Sequence, residues 1–324
     1  MHRAHAVFIA IVSAFLLLAS FGASAQTYPT RAVKFILPFG PGSGTDITAR
    51  LVADKLATRW GKPVVIENRP GGDGLVSINA FVGANDDHTL LWVPVGTFAV
   101  HPYQHEKLPY DAERDLLPIA NVSSLFLAAT ISMAMNVGSL REFVELVRAN
   151  PGKYNWATAN GNADFLMSGF LKSNGLQMAK VPYRDITQAP NDLAENRIQL
   201  LSSSLAVVTP LMQAGKIKVL AVTGRQRAPS APNIPTVIEA GYPTLVMESI
   251  GGIFGPRGMP LELRERIAAD VQAAFTSDPS IAVKMQATGQ VVDLRGPAGF
   301  AAGIKELNDK LAAIAQVLSL KAAQ

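Results

Sequence analysis

The sequence contains no cysteine, and its charged residues are scattered. Without cysteine the chain has neither disulfides nor thiolate ligands for a metal, and a chain of this length needs no disulfides even in an oxidising compartment. The 29 lysines and arginines and the 25 aspartates and glutamates give a formal charge of +4, with no basic run and no aromatic platform. We therefore expect no nucleic-acid partner, and the small positive charge mildly favours acidic ligands.

Long apolar runs are absent except at the N-terminus. Residues 7–18 are almost wholly apolar, follow a weakly basic start, and precede the small-residue pattern of residues 23–25. This pattern predicts a signal peptide over residues 1–25 and not a membrane anchor, because the apolar run is short for a bilayer span. The chain has 324 residues, so removing 25 of them leaves 299, a length that suits two domains.

The most informative stretch is the glycine-rich segment at residues 38–46. The apolar run Val33–Leu37 predicts a buried strand before it, and a helix is predicted after it over residues 46–60. Such an arrangement places free backbone N–H groups at the positive end of the helix dipole, which suits an anion such as a carboxylate. Ordinary turn and cap chemistry explains the same residues, with Thr45 or Asp46 as the N-cap, so both interpretations stay open.

The known nucleotide-binding loops do not match this segment. Residues 42–44, Gly-Ser-Gly, lack the third glycine of a dinucleotide fingerprint, and no Gly-Lys-Ser/Thr follows for a nucleoside triphosphate. We therefore expect no cofactor.

Strand and helix patterns alternate through the rest of the N-terminal region. Residues 63–67 and 89–95 are predicted strands, separated by a turn-rich loop and a helix over residues 75–84. This alternation predicts a parallel sheet with right-handed crossovers. Ligands bind beyond the carboxyl ends of such strands, where residues 40–46 and 95–98 are expected to lie.

A second region of the same kind follows a predicted crossing at residues 119–127. Ser139 is predicted to cap a helix, and residues 155–162 to form a strand that runs into a polar loop. Later, residues 197–202 are a predicted strand that ends in three serines. Polar side chains in these loops are candidates for ligand contact: Thr158, Asn160, Asn162, Arg184 and Ser203. Arg184 would pair either with an acidic ligand or with Asp185. Because these loops oppose the glycine-rich segment, we expect a cleft between two domains.

The C-terminal third is predicted to complete the first domain. A strand over residues 216–222 leads back to it, and residues 263–274 and 300–318 carry apolar side chains at helical spacing. We expect these two helices to pack on the first sheet. The predicted boundaries are residues 26–121 and 223–324 for the first domain and residues 122–222 for the second.

His101 and His105 have the i, i+4 spacing of a metal-binding pair on a helix. However, Pro102 opposes a helix, and no third ligand lies nearby in the sequence. We therefore predict a surface loop here and no metal site.

Several short segments, in a consistent order and spacing, cover nearly the whole predicted mature chain. They are Tyr28-Pro29, residues 38–46 with Ala49-Arg50, and residues 65–71, 108–111, 150–152, 181–184, 214–216 and 232–241. Through them the chain resembles the receptor component of tripartite tricarboxylate transporters, the Bug family of periplasmic solute-binding proteins. The resemblance implies a type II periplasmic-binding-protein fold, with two α/β domains joined by two crossover segments around a ligand cleft.

The resemblance also implies a function and a site. Family members bind small organic acids in the periplasm and deliver them to a membrane permease, so we expect a receptor without catalytic residues or metal, and a monomer. By position, the implied site consists of Phe39, Gly40, Ser43, Gly44, Asp46, Thr158, Asn160, Asn162, Asp185 and Ser203. With Thr45 at the helix start and Arg184 beside Asp185, these residues form the predicted ligand site.

The sequence departs from the family pattern at some of these positions. Asp185 and Thr187 stand where the family usually has glycine, and Gln199 stands where it has aspartate. A carboxylate at Asp185 would repel a ligand carboxylate unless it faces an amine, a hydroxyl or Arg184. We therefore hypothesise that the ligand differs from a plain dicarboxylate and carries a donor group.

Three alternative functions stay open. A secreted hydrolase would need His88, His101 or His105 beside a nucleophile, and none lies in a motif that supplies one. Asp46 and Asp185 would be an acid–base pair only at a separation that the sequence does not give. A receptor for an inorganic oxyanion, or one that signals without feeding a transporter, would share the same helix-terminus chemistry.

Overall fold

The protein consists of two lobes, each built on one β-sheet covered by helices. The computed structural model describes residues 28–158, 161–183 and 186–322, so the predicted signal peptide lies outside the described residues. The strands are β1 (Val33–Leu37), β2 (Val64–Asn68), β3 (Thr89–Pro94), β4 (Leu117–Leu125), β5 (Leu127–Ser132), β6 (Tyr154–Thr158), β7 (Met178–Lys180), β8 (Leu200–Ser204), β9 (Ile217–Val222), β10 (Ser249–Gly255) and β11 (Gln290–Arg295).

The helices are α1 (Gly44–Trp60), α2 (Leu75–Ala84), α3 (Val95–Phe98), α4 (His101–Gln104), α5 (Ala112–Asp115), α6 (Leu140–Ala149), α7 (Asn162–Ser173), α8 (Ala189–Ala194), α9 (Leu205–Gln213), α10 (Leu261–Ser277), α11 (Ser280–Ala287) and α12 (Pro297–Leu318). Most of the helices lie between consecutive strands, although α3, α4 and α5 follow one another, as do α10 and α11. Across the described ranges, no helix has the length and apolar character needed to cross a membrane.

Each lobe has a mixed sheet with a parallel part. The first sheet has the order β11-β4-β10-β3-β1-β2, and the second has the order β7-β6-β8-β5-β9. In the first sheet β1 is parallel to β2 and β3, and in the second β6 is parallel to β7 and β8. The other pairings, made by β10, β11, β5 and β9, are antiparallel.

The chain passes between the lobes twice. Only Phe126 separates β4 in the first sheet from β5 in the second. The return takes place between β9 and β10, after a segment that still follows the second sheet, since Val222 forms a β-bridge with Thr236. Two mixed α/β sheets joined by two crossings form the type II periplasmic-binding-protein fold, as expected.

The C-terminal helix α12 packs on both lobes, whereas we expected it to pack on the first sheet alone. Phe300 and Leu311 are fully buried in the apolar cluster that continues from one lobe to the other. In the second lobe, α7 approaches α12 so closely that a Cβ atom on Gly169 would lie 2.7 Å from Ile314 Cγ2. The helical stripe was correctly predicted, but its partners lie far away in the sequence.

Two further predictions need correction. His101 lies in the short helix α4 and is fully buried, although a surface loop was predicted, because Pro102 stands in the first turn, where a missing N–H costs nothing. The strand predicted over residues 197–202 is instead β8, so Ser203 lies within it and is fully buried. Asn196 adopts a positive φ of 59°, which marks the turn that delays the strand.

Candidate ligand-binding cleft

A cleft of about 670 Å³ lies between the lobes, at the carboxyl ends of strands from both sheets. Its lining comes from the loops after β1, β2 and β3, from the loops after β6 and β8, and from the two crossings. The lining residues are Pro38, Phe39, Gly71, Gly72, Asp73, Gly74, Pro94, Gly96, Thr97, Val100, Gln104, Leu125, Leu127, Gly161, Asn162, Ala163, Ser204 and Ser249. This is where ligands bind in open α/β sheets.

The loop after β2, residues 71–74, forms one wall with an unusual backbone. All four residues have positive φ, at 125° for Gly71, 56° for Gly72, 50° for Asp73 and 96° for Gly74. A Cβ atom on Gly74 would lie 2.5 Å from Thr97 Cγ2, so the position requires glycine for space as well as for conformation. Within the described residues, the N–H groups of Gly72 and Asp73 donate to no protein acceptor. The loop therefore offers two free donors at the cleft.

His101 holds this loop from behind. Its Nε2 atom lies 3.0 Å from the carbonyl oxygen of Asp73, and its Nδ1 atom lies 2.7 Å from the hydroxyl of Tyr110. Burial lowers the pKa of His101, so the ring is neutral near pH 7, and burial raises the pKa of Tyr110. The imidazole is therefore a fixed neutral support for the cleft wall.

The opposite wall is the start of helix α7. Gly161 precedes the helix at a φ of 79°, and the Asn162 side chain is 6% exposed, with Nδ2 at 3.4 Å from Ser249 Oγ. The first N–H groups of a helix have no intrahelical partner and carry partial positive charge. Helix α9 also begins at the cleft, after Ser204, whose hydroxyl makes no capping hydrogen bond. The second lobe therefore contributes helix termini, an amide and a hydroxyl.

No lysine, arginine or histidine is among the described residues that line the cleft. The ionisable side chain in the lining is that of Asp73, which is exposed. The available donors are backbone N–H groups and the side chains of Thr97, Gln104, Asn162, Ser204 and Ser249. Such a lining offers a small anion directed hydrogen bonds and helix dipoles and, from the described residues, no ion pair.

The predicted site residues are distributed unevenly around this cleft. Phe39 and Asn162 line it, and Ser203 is the buried neighbour of the lining residue Ser204. Thr158 is buried at the end of β6. Gly40, Ser43, Gly44, Thr45 and Asp46 belong to the loop and helix start beside Phe39 but do not themselves form the lining. Asn160, Arg184 and Asp185 lie outside the described residues.

The side chain of Asp46 is buried in the first lobe, where all of its hydrogen-bond partners lie. Its carboxylate accepts hydrogen bonds from Arg50 Nη2 at 2.9 Å, from Asn68 Nδ2 at 2.9 Å and from the Gly42 N–H at 2.9 Å. Burial opposes ionisation, but the bonds from Arg50, Gly42 and Asn68 outweigh it and lower the pKa of Asp46. In this structure the anion at the start of α1 is therefore the protein's own carboxylate.

The start of α1 is also filled on its other side. Ser43 is the N-cap, since its Oγ accepts from Asp46 N at 3.2 Å, where Thr45 or Asp46 had been the candidates. Gln290 Nε2 donates to the carbonyl oxygen of Gly44 at 2.8 Å, and a Cβ atom on Gly44 would lie 3.1 Å from that nitrogen. These bonds fix the helix start against β11.

The loop at residues 71–74 was not among the predicted site residues. Its signal was present in the sequence, because residues 64–84 repeat the pattern of strand, glycine-rich loop and helix. The segment at residues 95–98 was expected at this edge of the sheet, and Gly96 and Thr97 line the cleft. Ser249 carried no such signal, since it reaches the cleft only through the interlobe arrangement. Sequence order therefore indicated the edge of the sheet where the cleft lies but not the loop at residues 71–74.

A cluster with metal-ligand chemistry, Asp86, Asp87 and His88, lies away from the cleft. Its groups are already engaged: His88 Nδ1 lies 2.6 Å from Asp87 Oδ1, and His88 Nε2 accepts from the Thr30 N–H at 3.0 Å. Asp86 accepts from Arg31 at 2.6 Å. These bonds tie the start of the described chain to the first lobe.

The sequence matches a family model described as the tripartite tricarboxylate transporter family receptor, over residues 48–294. The chain belongs to this family. It is 27% identical over 303 residues to protein BugT of Bordetella pertussis, covering 88% of this chain and 93% of BugT.

Solved structures of this fold extend the comparison. Rpa4515 of R. palustris, solved with adipate, is 26% identical with a TM-score of 0.76, covering 91% of this chain and 99% of that one. MatC from Rhodopseudomonas palustris, solved with bound malate, is 24% identical with a TM-score of 0.74, covering 89% of this chain and 99% of that one. The second likeness shows a shared fold.

Proposed function

We propose that this receptor-family protein captures a small organic carboxylate in the periplasm and delivers it to the membrane permease of a tripartite tricarboxylate-type transporter. The observation that carries the proposal is the described cleft lining, which presents hydrogen-bond donors from both lobes and no cationic side chain. Carboxylate oxygens accept such bonds directly or through ordered water, and a water bridge is nearly as favourable as a direct bond. The adipate complex of the 26% identical R. palustris protein supports this ligand class.

The two walls suggest how a carboxylate is held. The free N–H groups of Gly72 and Asp73 serve one side, and the start of α7 at Gly161 and Asn162 serves the other. A ligand that bridges both walls stabilises the closed arrangement in proportion to its greater affinity for that state. The permease is then able to distinguish the loaded receptor from the empty one by the lobe arrangement.

Release of the ligand unchanged is part of the proposal. A Ser-His-Asp hydrolase needs a histidine with a ring nitrogen that faces the nucleophile. His101 has its ring nitrogens engaged with Asp73 and Tyr110, and His88 with Thr30 and Asp87, and none of these partners is a serine. His105 Nε2 is buried and has no hydrogen-bond partner among the described residues. The contacts of His101 and His88 support a binding protein over a hydrolase.

Calorimetric titration of the mature protein with mono-, di- and tricarboxylates, beginning with adipate, tests the proposal. We expect one bound acid per chain, recovered chemically intact by mass spectrometry. Tighter binding of sulfate or phosphate than of any carboxylate, or formation of a product, would contradict it.

A matched pair of glycine variants assigns binding to the cleft. Gly74→Ala and Gly258→Ala both place a Cβ atom at positive φ, 96° and 81° respectively, but only Gly74 lines the cleft. A Cβ atom on Gly258 meets no atom within 4 Å. We expect Gly74→Ala to lose the acid and Gly258→Ala to keep it. Equal effects would place the site elsewhere.

Delivery requires its own measurement. Membrane vesicles that contain the permease should take up the labelled acid only when the loaded receptor is added. Gly74→Ala should not support uptake, and Gly258→Ala should. Binding without receptor-dependent uptake would favour a sensory receptor over a transport receptor.

A further inference from the structure

The side chain of His101 is buried directly behind the cleft wall formed by residues 71–74. It is 0% exposed, and it lies between the carbonyl oxygen of Asp73, at 3.0 Å from Nε2, and the hydroxyl of Tyr110, at 2.7 Å from Nδ1. His105 packs against the ring edge-on, with the two ring centroids 5.3 Å apart. Neither ring nitrogen of His101 is therefore available to a ligand.

The partners of His101 determine where its proton lies. A backbone carbonyl can only accept, so Nε2 carries the proton and donates to Asp73. In the neutral ring Nδ1 is then an acceptor, and the protonated Tyr110 hydroxyl donates to it. Tyr110 therefore donates to His101, and His101 donates to Asp73, so both ring nitrogens of His101 have a hydrogen-bond partner.

The bond to Asp73 acts on a residue in a rare conformation. Asp73 has a φ of 50° and a ψ of 33°, which non-glycine residues seldom adopt. The other bonds that shape the loop are local, from the Gly74 N–H to the Gly71 carbonyl at 3.1 Å and from Ser77 Oγ to the Gly74 carbonyl at 2.7 Å. Among the described residues, His101 is the side chain from a different segment of the first lobe that hydrogen-bonds to the loop, and it fixes the peptide between Asp73 and Gly74.

We propose that His101 is a positioning residue for ligand binding, which holds Asp73 in its rare conformation and so orients the free N–H groups of Gly72 and Asp73 toward the ligand. The inference rests on the proposed carboxylate-binding function for the role of those donors. The arrangement of the loop itself does not depend on which ligand is bound.

Two amide substitutions separate positioning from simple burial. Glutamine at position 101 places an amide N–H close to the place of Nε2 and can donate to Asp73, whereas asparagine reaches only the place of Nδ1. We expect His101→Gln to bind adipate within about threefold of the unmodified protein and His101→Asn to bind about tenfold more weakly, the effect of one hydrogen bond. Equal affinities of the two variants at matched thermal stability would overturn the proposal.

A measurement without ligand makes the result independent of the ligand class. In proton–nitrogen NMR spectra, the amide signals of Gly72 and Asp73 should be sharp in the unmodified protein and in His101→Gln, and shifted or broadened in His101→Asn. The imidazole nitrogen shifts of the unmodified protein should report a proton on Nε2. Unchanged amide signals in His101→Asn, or a proton on Nδ1, would contradict positioning even if adipate binds. If the amide signals of Gly72 and Asp73 change in His101→Asn but the unmodified protein binds no acid, His101 positions the loop and the proposed carboxylate-binding function is wrong.

Discussion

The backbone of Gly96 in the first lobe lies against the side-chain amide of Asn162 in the second. A Cβ atom on Gly96 would lie 2.6 Å from Asn162 Cγ, and a Cβ atom on Gly161 would lie 3.0 Å from the Gly96 carbonyl oxygen. All three residues line the cleft. The lobes therefore meet at a point where only glycine backbone fits.

Gly96→Ala should weaken ligand binding by opening the lobes. The added methyl group cannot fit beside Asn162 in the closed arrangement, and we expect at least about tenfold lower affinity for the bound acid, or roughly 1.4 kcal/mol. Titration calorimetry measures the affinity, and small-angle scattering measures the lobe opening. Gly83→Ala is the control, because a Cβ atom there meets nothing within 4 Å. Unchanged affinity in Gly96→Ala would show that binding does not require this contact.

Asp46→Asn should lower stability more than it lowers affinity. The substitution removes the negative charge that Arg50 and the Gly42 N–H contact, and we expect a loss of about 2 kcal/mol in the free energy of unfolding by urea. Asp309→Asn breaks an exposed pair with Lys305 and should cost at most about 0.5 kcal/mol. Loss of binding with unchanged stability would instead place Asp46 in the ligand site, as the sequence-based prediction has it.

Stability should fall as the pH drops below about 6.5, the usual pKa of histidine. Burial lowers the pKa of His101 in the folded protein, so the unfolded chain binds the proton more readily than the folded one. The contribution of neutral His101 to the free energy of unfolding is complete above pH 6.5, and it is lost as the pH falls toward the lowered pKa of His101 in the folded protein. Urea unfolding at pH 7.5 and pH 5 measures the slope, which should be smaller in His101→Gln. Equal slopes would show that another group titrates.

Gly169→Ala should destabilise the protein although alanine favours a helix. The new Cβ atom would lie 2.7 Å from Ile314 Cγ2, and overpacking of this kind costs about 1–3 kcal/mol. In the Ile314→Ala background the same change should be neutral or favourable, because the opposing atoms are gone. A double-mutant cycle by urea unfolding measures this coupling. Additive effects of the two substitutions would show that positions 169 and 314 are not in steric contact between α7 and α12.

Local sequence patterns predicted most of the fold. Ser139 caps α6 through a hydrogen bond from the Glu142 N–H to its Oγ, and the predicted helix over residues 75–84 has the observed bounds of α2. The crossing at residues 119–127 contains Phe126, where the chain changes sheets. Caps, periodicity and strand–helix alternation act over a few residues, so they are visible without tertiary structure.

The site was harder to predict, because it depends on which loops face each other. Two glycine-rich loops follow the adjacent parallel strands β1 and β2. Only the contacts of Asp46 with Arg50 and Asn68 show that a carboxylate of the protein itself occupies the helix start after the first loop. Pro102 led to the prediction of a surface loop around His101, whereas the bond of His101 to Asp73 depends on a loop 28 residues earlier in the chain.

The sequence by itself determined the family, the two-lobed α/β class and the edge of the sheets at which the cleft lies, because these follow from the order of short local patterns. Only the tertiary structure decided that residues 71–74 form the wall, that His101 supports it, and that α12 joins the lobes. Those contacts link segments distant in sequence, and their energies depend on packing and on buried hydrogen bonds that no local pattern contains.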